Sequence, residues 1–202
     1  MTSSGRTRTH LRRLVFLLAP FLAVPADAYD DVSLSASAIR DAYFLGSREG
    51  GLRPDFLARY AHWVPTLKQW TCTSQVRLET PYLQVADFAS KAVNYSSQDA
   101  VEQFYGKAMY FRMYLDICYR PRAPLNTIKV KVMQNKKEIA SVSAQSSPYY
   151  PVIRETAILP ANGERITLEF NSGQFDSSTL TILIDTLDQQ HAAVEFELQG
   201  LR

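Results

Sequence analysis

Two histidines lie beyond the first 28 residues, His62 and His191, and any search for catalysis or metal binding starts with them. An imidazole changes charge near neutral pH, so it can act as a base or a ligand. Neither histidine belongs to an H-x-x-x-H or H-E-x-x-H spacing, which would bring two ring nitrogens onto one helical face. His62 precedes Trp63 in an apolar stripe and reads as a half-exposed helix residue. His191 follows Asp188-Gln189-Gln190 and reads as a turn residue. If either served an enzyme, it should sit in a cleft with an acidic neighbour at roughly 2.6–3.2 Å.

Other catalytic arrangements are no better defined. Serines are plentiful, yet no G-x-S-x-G elbow presents one as a nucleophile. Asp185 with Asp188, and Asp30 with Asp31, are carboxylate pairs of the kind glycoside hydrolysis uses. Both read more simply as solvated charges, beside a turn and near a chain end. Glu49-Gly50-Gly51 lacks the following lysine that a phosphate-cradling loop needs. No catalytic residue, metal site or cofactor is therefore expected.

The residues best suited to recognition are aromatic. Tyr105, Tyr110, Tyr114, Tyr119, Tyr149 and Tyr150 crowd the middle of the chain. If residues 108–119 form a strand, Tyr110, Arg112, Tyr114 and Asp116 share one face, opposite Phe111, Met113, Leu115 and Ile117. Phe104, Ala108, Phe111, Leu115 and Cys118 would equally suit a helix. The aromatics and the shared face of Arg112 with Asp116 favour the strand. Tyrosine and arginine combine a flat surface with a polar handle, as interfaces require. The same residues would also serve as cross-strand packing beneath N-terminal helices. A binder should present this face exposed and contiguous over a few hundred Å².

The elements that must position these residues are mainly strands. Residues 33–45 read as a helix capped by Ser33 or Ser35, and Pro54 starts a second one that ends before Pro65. From residue 74 the period falls to two: Val76, Leu78 and Thr80 alternate with Gln75, Arg77 and Glu79, and Pro81 interrupts the run. Leu83 to Val93 is ambiguous and is assigned to strand. Ser96-Ser97-Gln98-Asp99 has the form of a capping box, opening a helix over 98–105 that Gly106 ends. Ile128, Val130 and Val132 predict a strand that turns at Asn135-Lys136-Lys137 and returns over 139–142. Residues 144–151 read as a loop. Asn162-Gly163 predicts a turn into the strand of Ile166, Leu168 and Phe170. Leu180, Ile182 and Ile184, then Val194, Phe196 and Leu198, complete the set. The expected fold is mainly β within the α+β class: an antiparallel β-sandwich with a short N-terminal helical segment.

The first 28 residues have a different composition. Arg6, Arg8, Arg12 and Arg13 precede an apolar run from Leu14 to Val24, and Ala26-Asp27-Ala28 places small residues before Tyr29. These are the three parts of a secretory signal peptide. The run is too short for a membrane span, which needs about 20 apolar residues. The domain plan is thus residues 1–28 as signal peptide, 29–73 as helical segment and 74–202 as β-sandwich-like domain, with a periplasmic or secreted product. No integral membrane segment is expected after cleavage.

Of 22 basic and 20 acidic residues, four arginines and Asp27 lie within that leader, so the remainder carries a net charge of −1. Without a clustered positive surface, nucleic acid is not an expected partner. Cys72 and Cys118 are an even pair in an exported chain, which makes them a disulfide candidate. Their bridge would close a loop of roughly 46 residues and contribute about 4 kcal/mol.

Thr80-Pro81-Tyr82 and the ending Phe196-Glu197-Leu198-Gln199-Gly200-Leu201-Arg202 resemble features of a group of uncharacterised exported bacterial proteins. The resemblance spans most of the chain beyond the leader and implies no activity. The function expected from the sequence is a non-catalytic binding or interaction domain of the cell envelope, recognising a protein or glycan partner. The alternatives are a small secreted hydrolase with a site assembled from distant residues, or a purely structural envelope protein.

Overall fold

The computed structural model describes residues 34–64, 74–119, 126–149, 162–176, 178–186 and 191–201. The leader, Cys72, residues 150–161 and the Asp188-Gln189-Gln190 turn lie outside the described residues.

Helix α1 (Ala36–Gly46) is capped by Ser35, whose hydroxyl accepts the Ala38 N–H. Helix α2 (Pro54–Leu57) begins at a proline, where the missing N–H costs nothing, and runs into a 3₁₀ turn over Ala58–Tyr60. The second predicted helix stops there. Ala61–Trp63 is strand β1, at the edge of a sheet, because His62 and Trp63 pair with Val76 and Gln75 of β2 (Gln75–Glu79). The helical stripe through Trp63 is therefore broken: Trp63 belongs to strand alternation.

Residues 83–93 are corrected from strand to helix. Helix α3 (Pro81–Lys91) has Pro81 in its first turn and Thr80 as its cap, with the Thr80 hydroxyl 3.1 Å from the Leu83 N–H. Tyr82, Val85, Ala86 and Ala89 are buried at spacings of three and four, which is helical periodicity. The interrupting Pro81 was in fact a helix start. Helix α4 (Ser97–Phe104) follows, and its predicted capping box is present: Ser96 and Asp99 exchange side chain and backbone bonds.

The strand assignment for residues 108–119 holds as β3 (Tyr110–Tyr119). Then come β4 (Lys129–Gln134), β5 (Lys137–Glu138), β6 (Ser143–Tyr149), β7 (Asn162–Asn171), β8 (Thr179–Asp185) and β9 (His191–Glu197). The turn between β4 and β5 uses positive φ at Asn135 and Lys136, as the sequence predicts, but the return strand is only two residues long. Of residues 144–151, expected as a loop, 150–151 lie outside the described residues, and those as far as Tyr149 belong instead to the edge strand β6. Its Pro148 is tolerated because β6 pairs on one side only. His191 opens β9 rather than sitting in a turn.

Among the described residues, nine strands form two antiparallel sheets in the orders β1-β2-β3-β7-β6 and β5-β4-β8-β9. The sandwich expected from the sequence is thus present. Its core is made by inward residues of both sheets, among them Val76, Leu78, Phe111, Met113, Leu115, Leu168 and Phe170 against Val132, Leu180, Ile182 and Phe196. A second, smaller core joins α1, α3 and α4 through Ile39, Ala42, Tyr82, Val85, Ala86 and Ala100. Gly46 lets α1 and α3 meet, since a Cβ there would overlap the Ala86 carbonyl. These helices pack chiefly on one another. At the Glu79–Arg112 end, α3 and α4 border the outer face of the five-stranded sheet.

Candidate functional site

Strand alternation places Tyr110, Arg112, Tyr114 and Asp116 on that outer face, as the sequence anticipates. The register then supplies neighbours the sequence could not. Directly opposite residues share a face, so three rungs cross the sheet: Glu79–Arg112–Glu169, Arg77–Tyr114–Thr167 and Gln75–Asp116–Arg165.

The rungs are joined by charge and hydrogen bonds. Arg112 donates from Nε to Glu169 Oε1 at 2.9 Å, and its Nη1 lies 3.8 Å from Glu79 Oε2. The Tyr114 hydroxyl donates to the same Glu79 oxygen at 2.9 Å. Arg165 grips Asp116 with two bonds, Nε to Oδ1 at 2.5 Å and Nη2 to Oδ2 at 2.8 Å. Such bidentate pairs fix geometry as well as charge. Asp116 is buried and Arg165 half-exposed, so the pair anchors the face while leaving a cation at its surface.

Two cations lie against aromatic rings. The Arg77 guanidinium is 4.8 Å from the Tyr114 ring centre, and that of Arg165 is 5.2 Å from the Tyr149 ring centre. Trp63 pairs with Gln75, which puts it on the same face, and it is 67% exposed. Tyr110 is exposed as well.

The electrostatics follow from these contacts. The hydrogen bond to Asp116 holds the Arg165 guanidinium more firmly protonated than usual. Burial works against the Arg112 charge, but bonding to Glu169 and the fields of Tyr114 and Glu79 prevail and push its pKa up. Tyr114 is raised above an ordinary phenol, first by burial and then by its bond to Glu79. The face carries three arginines and three carboxylates in alternation. It offers fixed, patterned polarity.

One end of the face continues into a groove of about 530 Å³ beside α3 and α4. Glu79 and Arg112 form one wall, and Gln84, Phe88, Lys91 and Phe104 line the helical side. Gln84 ties the two together by donating to the Tyr110 carbonyl at 2.6 Å.

The histidines lie apart from this face. His62 points between the sheets, with Nδ1 2.7 Å from the Glu195 carbonyl. His191 Nδ1 is 2.6 Å from Asp185 Oδ1, within reach for a base and its orienting acid. Both side chains stand in solvent, 76% and 42% exposed, on the surface of β8 and β9. No group of three or more His, Cys, Asp or Glu that could hold a metal occurs among the described residues.

A second feature escaped the sequence reading. Glu164 on β7 is fully buried and faces inward, two residues before Ile166 on the same alternation. Its Oε1 accepts the Asn126 N–H at 3.0 Å and a hydrogen bond from the Ser146 hydroxyl, while Oε2 has no hydrogen-bond partner among the described residues. Glu164 lines a cavity of about 440 Å³ between the sheets, beside β6. The parity of Glu164, Ile166, Leu168 and Phe170 was the available signal. A glutamate beside an arginine ordinarily belongs to a solvated face, which obscures that signal.

Compared with protein-family models, with curated proteins and with solved structures, the chain matches none of them.

Proposed function

We propose that this chain is an exported, non-catalytic binding domain of the cell envelope, periplasmic or secreted, which engages a protein partner through the outer face of its five-stranded sheet. The supporting observation is the row of Trp63, Arg77, Tyr114, Arg165 and Tyr149 on one side of a rigid sheet, held by cross-strand ion pairs. Tryptophan, tyrosine and arginine dominate binding hot spots because each buries a large surface at low entropic cost. Preformed geometry lowers that cost further. Alternating charges add register without demanding a highly charged partner.

The test uses a photo-crosslinking residue placed at Trp63 or Tyr110, with Lys131 on the opposite sheet as control, in the exported protein. A discrete adduct from the face positions alone, lost on Arg77→Glu in a folded protein, is the expected result. Equal adducts from Lys131, or none from the face, overturn the reading. A glycan partner would give an adduct sensitive to glycosidase.

Export rests on the leader. Sequencing the exported product should return Tyr29 as its first residue. The Cys72–Cys118 disulfide belongs to the same proposal. Ser74, two residues from Cys72, accepts the Cys118 N–H at 2.9 Å, which brings the two segments together.

A small hydrolase is the second reading, and the His191–Asp185 pair is the observation in its favour. A domain carrying both His62→Ala and His191→Ala that still yields the face adduct separates binding from any such chemistry.

A further inference from the structure

The cavity beside β6 lies on the other side of β7 from the proposed partner face, and it has its own chemistry. Its inner walls carry apolar side chains, Ile128 with Val130 and Val132 of β4, and Ile166, Leu168 and Phe170 of β7, while Glu138, Gln145 and Ser146 add polar groups to the lining. A space of this size falls within the range that small ligands fill, roughly 300–1,000 Å³. At one end sits the fully buried Glu164 carboxyl group, with one oxygen satisfied twice and the other without a partner among the described residues.

A buried polar atom without a partner is costly, and proteins rarely leave one unless something meets it. The satisfied oxygen shows how carefully this carboxyl is held. The Asn126 N–H reaches it from a residue at φ 63°, a left-handed conformation that asparagine tolerates, and the Ser146 hydroxyl reaches it from the edge strand. Two donors fix the head of Glu164 and leave Oε2 for a third. The described lining contains no lysine, arginine or histidine to supply it.

We propose that this cavity binds a small amphipathic amine, its apolar body between the sheets and its ammonium donating to Glu164 Oε2. A cation answers the orphaned oxygen with both a hydrogen bond and charge, and charge-assisted bonds are the stronger kind. A ligand carboxylate would bring further acceptors and no donor. An alcohol would supply the bond without the charge. The site goes beyond the partner-binding reading and stands independently of it.

The experiment titrates the mature protein with octylamine, 1-octanol and octanoate, followed by calorimetry and by chemical shifts of the β4 and β7 amides. Octylamine should bind at least tenfold more tightly than either other probe, with shifts centred on Ile166 and Val130. Glu164→Gln should reduce octylamine affinity by tenfold or more and bring it level with octanol. Should Glu164→Gln fail to fold, Ala144→Trp decides, because it keeps the carboxyl and fills the mouth of the cavity. That variant should lose octylamine binding while retaining the outer-face adduct. Equal or tighter binding of octanol or octanoate, binding unchanged in the Ala144→Trp variant, or no binding of octylamine would overturn the proposal.

Discussion

His62 stacks on Phe196, with ring centres 4.2 Å apart and planes within 11° of parallel. The contact joins β1 of one sheet to β9 of the other, and the bond from the imidazole to the Glu195 carbonyl reinforces it. The histidine is thus a clip at the side of the sandwich. His62→Ala should destabilise the fold by about 1–2 kcal/mol, from a lost aromatic pair and a lost hydrogen bond. Denaturant unfolding measures it. A change near zero would mean the clip is ornamental.

Asp116 and Arg165 predict an asymmetry. Asp116→Ala removes a buried acceptor that holds a half-exposed guanidinium and should cost about 1–3 kcal/mol. Arg165→Ala leaves the buried carboxylate without its bidentate partner, so it should cost at least as much. The double variant should be less destabilised than the two single costs added together, which a double-mutant cycle would show.

Tyr114 gives a pH dependence with a definite sign. Its pKa is raised in the folded state, chiefly by burial, so folding favours the protonated phenol. The stabilisation is complete below the ordinary phenol value near 10 and is lost as pH rises through the folded value. Stability should therefore fall above pH 10, and Tyr114→Phe should flatten that part of the curve. An unchanged slope in the variant would assign the alkaline loss elsewhere.

Gly46→Ala should separate α1 from α3, because the added methyl meets the Ala86 backbone rather than a movable side chain. The expected cost is about 1–3 kcal/mol from overpacking. Amide exchange should quicken in α1 and α3 while the sheets stay protected.

Thiol alkylation tests the disulfide. The folded, exported protein should present no alkylatable cysteine, and reduction should lower the melting temperature. Two alkylatable thiols in the folded protein would exclude the bridge.

The inward and outward sides of β3, β7, β8 and β9 were legible in the sequence because each strand buries one face, and burial writes itself as alternation. The face shared by Tyr110, Arg112, Tyr114 and Asp116 was legible for the same reason. Local chemistry also announced the Ser96 capping box and the turn at Asn135. In α3 the signal was present and misread: Thr80-Pro81 is a helix start, and the apolar run after it fits either period over so short a length.

What the tertiary structure alone decided was partnership. Edge strands such as β1 and β6 are short or serine-rich, and only pairing with a neighbour makes them strands. Which carboxylate meets Arg112 or Arg165 depends on register between segments about fifty residues apart, and a single chain carries no direct record of register. Glu164 shows the limit most sharply. Its parity pointed inward, but its isolation arises from two sheets closing around it, because a charge is solvated until other elements remove the water.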